Sequence, residues 1–377
     1  MTAQETLAQL VGINSVSQNT NAPIVDYLQE RCERLGFATK RFAYNDETGA
    51  EKINLVALAG AEFTEGVQVE LCLVGHTDTV PFDPNWNEAT TLTERDGKLF
   101  GRGACDTKGF IAAALTAVEQ IDLASLQHPL ALIFTADEEV GLLGAKYLAQ
   151  LKPLQVRYSI VGEPTSLRPI RAGKGYSLAN VLVKGREAHS AYPALGASAI
   201  LRAARLIARL ESIAEELKVD QHAEFDPSFT TFNVGLINGG TAKNVMAGSC
   251  RFTLEWRPIP TQDPKLFLER LNNAIDEEKK IDPDFEAEVD CGRNDSGFET
   301  APESALVTFL ETANGKKAGT VAFGTEGAQM RALGSDAVVL GPGDIREAHR
   351  TGEFVPLVEL NRCVEILRSA IQNFCIA

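Results

Sequence analysis

No stretch of this chain approaches the roughly 18 uninterrupted apolar residues that a membrane-spanning helix requires. The opening segment MTAQETLAQLVGI has no basic stretch leading into a long apolar run, so it does not read as a secretory signal. Cysteine is scarce: seven residues, odd in number and without a CxxC pair. Cys72 and Cys363 fall inside apolar patterns, which suits reduced core thiols in a cytoplasmic protein rather than a disulfide framework. Positive charge is short as well, since 36 Lys and Arg face 51 Asp and Glu for a formal net charge of −15. Such a surface repels phosphate backbones and anionic lipid, so neither nucleic acid nor a membrane is expected as a partner. Internal repeats, low-complexity tracts and long Gly/Ser/Pro linkers are also missing.

What is present is a hydrophobic fraction of 44% and a charged fraction of 23% over 377 residues, the mix of a protein with ample core. The length suits one large domain or two ordinary ones. In the first half, apolar runs alternate with helical patterns. Ile24, Val25, Leu28, Cys32 and Leu35 share a helical face that Gly36 closes. VQVELCLV (67–74), PLALIFT (129–135) and YSIV (158–161) read as buried strands, with helices between them at 109–118 and 144–151. The last ninety or so residues resume this style, with a strand at 337–340 and a helix whose stripe is Leu357, Leu360, Val364, Leu367 and Ile371. Strands separated by helices predict a largely parallel sheet with helices on both faces. The middle differs. Strands at 177–184, 230–237, 249–256 and 285–290 and helices at 196–217 and 263–279 follow the order βαββαβ of a ferredoxin-like unit. The expected fold is an α/β domain of residues 1–175 and 291–377, interrupted by an α+β domain of residues 176–290.

The acids and histidines collect where this fold puts function. His76 and Asp78 follow the first apolar strand, Glu138 and Glu139 the second, Glu163 the third, and His349 lies in a loop after the last. Groups beyond the carboxyl ends of strands in an open α/β sheet meet at one rim. Asp106, in the glycine-rich GRGACDTKG, precedes a helix and reaches the same rim. That loop has neither the GxxxxGK[ST] nor the GxGxxG spacing of a phosphate cradle. Carboxylates gathered this way repel one another unless a cation sits among them. Two histidines with three or four carboxylates suit zinc, cobalt or manganese. His128 precedes a strand at its amino end and His222 lies in a polar loop, so neither is assigned to the site.

As a set, GHTDTVP, GRGACDTKG, ADEEVG, the Glu-Pro step at 163 and the late EAHRTGE loop resemble the co-catalytic zinc aminoacylase/metallopeptidase family over essentially the whole chain. The resemblance implies two divalent metal ions per chain, zinc or in its place cobalt. His76, Asp106 and Glu163 would hold one and Asp106, Glu139 and His349 the other, with Asp106 as the bridge. It implies that Glu138 is the proton shuttle and that Asp78 accepts the second N–H of His76. The inserted domain would be a lid and dimerisation domain, so a homodimer is expected. From it His189 would cross to the partner subunit's site to stabilise an oxyanion, while Asn244 and Arg257 hold the substrate carboxylate. VAFGTEGAQ, with Gly324, Thr325 and Glu326, and LGPGDIREAH resemble the branch of the family that hydrolyses N-acetyl-L-ornithine to L-ornithine and acetate in arginine biosynthesis. Gly-Ala-Gln after Glu326 departs from that branch. The alternatives are the same chemistry on succinyl-diaminopimelate, another N-acyl amino acid or a dipeptide, and a catalytically inactive binding homologue.

Overall fold

The strand Val67–His76 lies at the centre of a sheet between Leu130–Thr135 and Leu154–Val161, parallel to both. In this computed structural model, which describes residues 1–376, the sheet runs on from Leu154–Val161 to Asp336–Val339, again parallel. The three long parallel strands are buried along most of their length, as strands covered on both faces must be. Register decides where the site falls. His76 pairs with Thr135 and Val74 with Val161, so one neighbouring strand ends level with His76, the other two residues short of it, and the residues that follow share one rim.

The sequence pattern does not anticipate the far edge, an antiparallel hairpin of Ala38–Asn45 and Glu51–Ala59 whose second strand pairs antiparallel with Leu130–Thr135. Its outer strand, ATKRFAYN, is exposed or only partly buried throughout. It has no apolar run to announce it, and its charged side chains suit an unpaired edge. The helix Lys108–Glu119 is nearly wholly buried, and Ala112, Ala113, Ala114 and Ala117 let it pack close to the sheet and to Leu357–Ile371. Close approach is enforced at Gly162, where a Cβ would lie 2.2 Å from the Phe110 ring. These elements form one compact unit of Met1–Arg171, Glu299–Gly319 and Thr325–Ala377. A small antiparallel sheet of Thr93–Arg95, Lys98–Phe100 and Phe354–Pro356 also belongs to it.

The other unit comprises Ala172–Phe298 and Thr320–Gly324. Its four antiparallel strands run in the order Thr231–Gly239, Ser249–Arg257, Tyr176–Lys184, Glu286–Asp295, the split arrangement that βαββαβ connectivity produces. The central strand alternates half-buried and buried residues along its whole length, so only one face is covered. The helices Ala199–Leu217 and Lys265–Ile281 supply that cover. Val181, Val183, Leu206, Leu210, Phe252, Trp256 and Phe267 make the core, and the Trp256 indole donates to the Pro264 carbonyl at 3.0 Å. No helix among the described residues is long and apolar enough to cross a membrane.

Candidate metal centre

His76 is the last residue of the central strand and is fully buried. Its Nδ1 lies 3.0 Å from the Asp78 backbone carbonyl, and a carbonyl can only accept, so Nδ1 carries a proton. That leaves Nε2 facing the Asp106 carboxylate, with Oδ1 at 2.9 Å. The expected partner of Nδ1 was the Asp78 carboxylate, whose Oδ1 is farther away at 3.6 Å. The carboxylate has other work. It accepts the backbone N–H groups of Glu138 (3.1 Å) and Glu139 (3.3 Å) and the Ser17 hydroxyl (2.7 Å). Asp78 thus orients His76 through its carbonyl and the Glu138–Glu139 turn through its carboxylate.

The second oxygen of Asp106 faces the other way. Oδ2 is 3.2 Å from His349 Nε2, and the same nitrogen is 3.0 Å from Glu139 Oε2. His349 is half-exposed and has a positive φ of 60°, which turns its side chain from the loop toward the carboxylates. Glu163 is buried just beyond the strand Leu154–Val161, and the Thr107 hydroxyl ties the glycine-rich loop to the neighbouring Gly162 carbonyl at 2.9 Å. Five groups carried by five separate chain segments are thereby drawn toward one rim.

The electrostatics are those of a site short of positive charge. Burial, with the Asp106 and Glu138 charges, pushes the Glu163 carboxyl well above the ordinary range. Burial and the charges of Glu139 and Asp106 do the same for Glu138. Asp106 is also buried, but hydrogen bonds from His349 and His76 hold it below the ordinary value. In return, hydrogen bonds to Asp106 and Glu139 push His349 up to about 10. His76, Asp106 and Glu139 offer one nitrogen and two carboxylate oxygens that lie within 4.8 Å of one another, a donor set and span that fit a divalent cation. Asp106 turns each of its carboxylate oxygens to a different histidine.

Residues that sequence reasoning missed surround this centre. Asp137 sits at a positive φ of 54° immediately before Glu138, and its carboxylate accepts Tyr44 Oη (2.8 Å) and Lys52 Nζ (2.9 Å). Lys52, itself buried, also donates to the carbonyls of Ser17 and Asn19. Arg102 and Glu353 pair beneath Asp106. Asp137, Arg102 and Glu353 lie inside ADEEVG, GRGACDTKG and EAHRTGE, but the motifs assign them no role, and only the Asp78 network and the loop contacts give them meaning. Glu326 is fully buried, and burial pushes its carboxyl up to about 7. Its neighbour Thr325 is buried too.

The remaining predicted residues belong to the other unit. His189 is exposed, and its Nδ1 accepts the Ala191 N–H at 3.1 Å. Asn244 is exposed, with its carbonyl accepting the Ser190 N–H. The Arg257 guanidinium lies 4.5 Å from the Tyr176 ring centroid and 3.5 Å from Glu255. Gly324 is half-buried. His128 lines a cavity with Pro129 and Arg157 around the amino ends of the parallel strands, away from the rim.

Fold and cluster together define a metal-dependent hydrolase, and the sequence profile of Peptidase family M20/M25/M40 matches residues 72–373, so this chain belongs to that family. Among its relatives, acetylornithine deacetylase of Myxococcus xanthus is 50% identical over 371 residues, 98% of this chain and 97% of that one. Acetylornithine deacetylase of Proteus mirabilis is 34% identical over 382 residues, 99% of this chain and 97% of that one. Of solved structures, a tripeptidase from Staphylococcus aureus superposes with a TM-score of 0.76 at 25% identity, covering 99% of this chain and 97% of that one. A family metallo-carboxypeptidase from Sulfolobus solfataricus gives a TM-score of 0.75 at 19% identity, covering 99% of each chain, and so shares the fold.

Proposed function

We propose that this protein hydrolyses N-acetyl-L-ornithine to L-ornithine and acetate, using two divalent metal ions held by His76, Asp106, Glu139, Glu163 and His349. The observation that carries the metal reading is Asp106, whose two oxygens face His76 and His349 separately. The substrate reading is supported by near full-length similarity to proteins named for that deacetylation. When bound, the ions supply Lewis acidity, which polarises an acyl carbonyl and makes a water nucleophilic near neutral pH. His76, Asp106 and Glu163 would hold one ion, and Asp106, Glu139 and His349 the other. As the water oxygen bonds to the acyl carbon, Glu138 takes its proton. As the C–N bond breaks, Glu138 passes that proton to the departing amine. Asp78 fixes the turn that aims Glu138 and Glu139.

In this reading residues 1–175 and 291–377 form the catalytic domain and 176–290 the lid and dimerisation domain. His189 of the partner subunit steadies the oxyanion, Asn244 and Arg257 hold the substrate carboxylate, and Gly324, Thr325 and Glu326 line the substrate site. Dimerisation is supported by Thr231–Gly239, an edge strand with unpaired backbone groups and with Leu236 and Ile237 exposed. The exposed Leu201 of the Ala199–Leu217 helix adds to that apolar surface. Seven free cysteines suit the cytoplasm. The test is steady-state kinetics on a panel of acetyl- and succinyl-amino acids. The expected result is the highest kcat/KM for N-acetyl-L-ornithine. If acetylmethionine or succinyl-diaminopimelate is turned over as fast, the substrate assignment fails and the metal-dependent chemistry stands.

A further inference from the structure

We propose that Arg102 and Glu353 form a buried positioning clamp that holds Asp106 and the His349 loop in register for metal binding. The inference rests on the metal reading above and adds two residues for which no hydrogen bond to a metal ligand's side chain is seen, Glu353 meeting Asp106 through its backbone N–H. Glu353 is 0% exposed and Arg102 is 4% exposed. Glu353 Oε1 accepts the backbone N–H groups of Cys105 (2.9 Å) and Asp106 (3.1 Å), so one carboxylate oxygen fixes the peptide that carries Asp106. Oε2 accepts Arg102 Nη1 at 2.6 Å. Arg102 Nη2 reaches the Pro81 carbonyl at 3.2 Å, and its guanidinium lies 5.4 Å from the Trp86 ring centroid.

The same glutamate belongs to the histidine loop. It stands four positions after His349, its N–H donates to the Arg350 carbonyl, and its own carbonyl accepts the Gly101 N–H at 3.1 Å. The next residues, Phe354–Pro356, pair antiparallel with Lys98–Phe100 just before the glycine-rich loop. Both loops that meet at Asp106 and His349 are thus fastened at one point.

Stability is a poor reason for burying such a pair, because desolvation offsets most of its Coulombic gain. Arg102 Nε is buried without a hydrogen-bond partner, so the arrangement does not maximise bonding either. What a hydrophobic pair of the same volume could not do is accept two adjacent backbone N–H groups. The function left for the clamp is orientation of Asp106.

The experiment titrates metal-free protein with Co²⁺, following the visible absorption of the bound ion, for the wild-type chain, Glu353→Gln, and the double variant Arg102→Met with Glu353→Leu. Unfolding temperatures of the metal-free proteins are measured alongside. Glu353→Gln should weaken Co²⁺ binding about 10–100-fold and lower kcat more than it raises KM. The double variant removes the desolvation cost of the buried charges but leaves the Cys105 and Asp106 N–H groups without their acceptor, so it should stay folded without metal yet bind Co²⁺ weakly. Co²⁺ binding by the folded double variant that matches wild type would overturn the clamp and leave the pair a packing feature. That variant decides the matter even if the single one does not fold. Wild-type protein that takes up no Co²⁺ would instead sink the metal reading, and the clamp with it.

Discussion

The two units each bury acidic side chains, and they balance the charge in different ways. In the four-stranded unit, buried Glu278 is met by Arg205 and Arg209 at hydrogen-bond distance. Asp282 takes a two-pronged bond from Arg202, at 2.7 and 2.8 Å. Burial alone would raise Glu278, yet Arg209 and Arg205 bring it below its ordinary value. At the rim of the parallel sheet, Glu138, Glu139 and Glu163 are all raised, with burial the leading cause. The first assembly is neutralised by arginines of its own chain. At the second, the two histidines leave the three glutamates raised, the state expected of a site that takes up cations, which is how a binding site differs from a structural ion-pair network.

The largest test of that contrast is removal of metal. Chelation should abolish hydrolysis, Zn²⁺ or Co²⁺ should restore it, and metal analysis should find two ions per fully loaded chain. The pH dependence of metal-free stability should carry the same signature. A carboxyl raised on folding binds more protons folded than unfolded, so the chelated protein should lose stability as pH climbs above about 4.5, and metal should reverse the loss. Thermal scans across pH, with and without metal, check this. Activity undiminished in chelator would break the comparison.

Next in size is the division of labour between adjacent glutamates. Glu138→Gln keeps the shape and removes the proton acceptor, so kcat should fall by about 10²–10⁴ with metal content unchanged. Glu139→Gln should lower metal content itself. Equal metal loss in both would make Glu138 a ligand and not a base.

A smaller effect sharpens the link between the units. If His189 serves the partner subunit's site, mixing inactive Glu138→Ala and His189→Ala chains makes about half the dimers mixed, with one of two sites repaired. About a quarter of wild-type activity should then return. Differently tagged chains confirm the mixed dimers, and mixed dimers without recovery would confine His189 to its own unit.

The smallest effect is in the self-neutralised assembly. Glu278→Gln should cost about 1 kcal/mol, modest because both arginines are partly exposed. Its kcat and metal content should match wild type. The lowered carboxyl contributes stability above its unfolded value near 4.5 and loses it as pH falls through the folded value. Denaturant midpoints of the two proteins should therefore converge in acid.

Much of this architecture is legible in the amino-acid pattern. Apolar runs ending in GHTD, TADEE and VGEP sit in the sequence as they do in the sheet, because a buried parallel strand needs continuous apolar residues and its polar successors must emerge at the rim. The strand at 176–184 is legible as well, but that only one of its faces is covered shows in its alternating burial and not in its residue types. The hairpin at 38–59 escapes such a reading because its outer strand is an exposed edge whose polar residues carry no period.

What the sequence by itself determined was the set of metal-competent residues, their places after successive strands and the family they mark, since each depends on local pattern and residue type. Tertiary structure alone decided the pairings. Arg102 and Glu353 stand 251 positions apart, and nothing in either segment specifies the other. Whether Asp78 meets His76 through its carboxylate or its carbonyl turns on fractions of an ångström in a loop. Such contacts are set when distant segments pack against a common core, and packing geometry is not written in the spacing of any one of them.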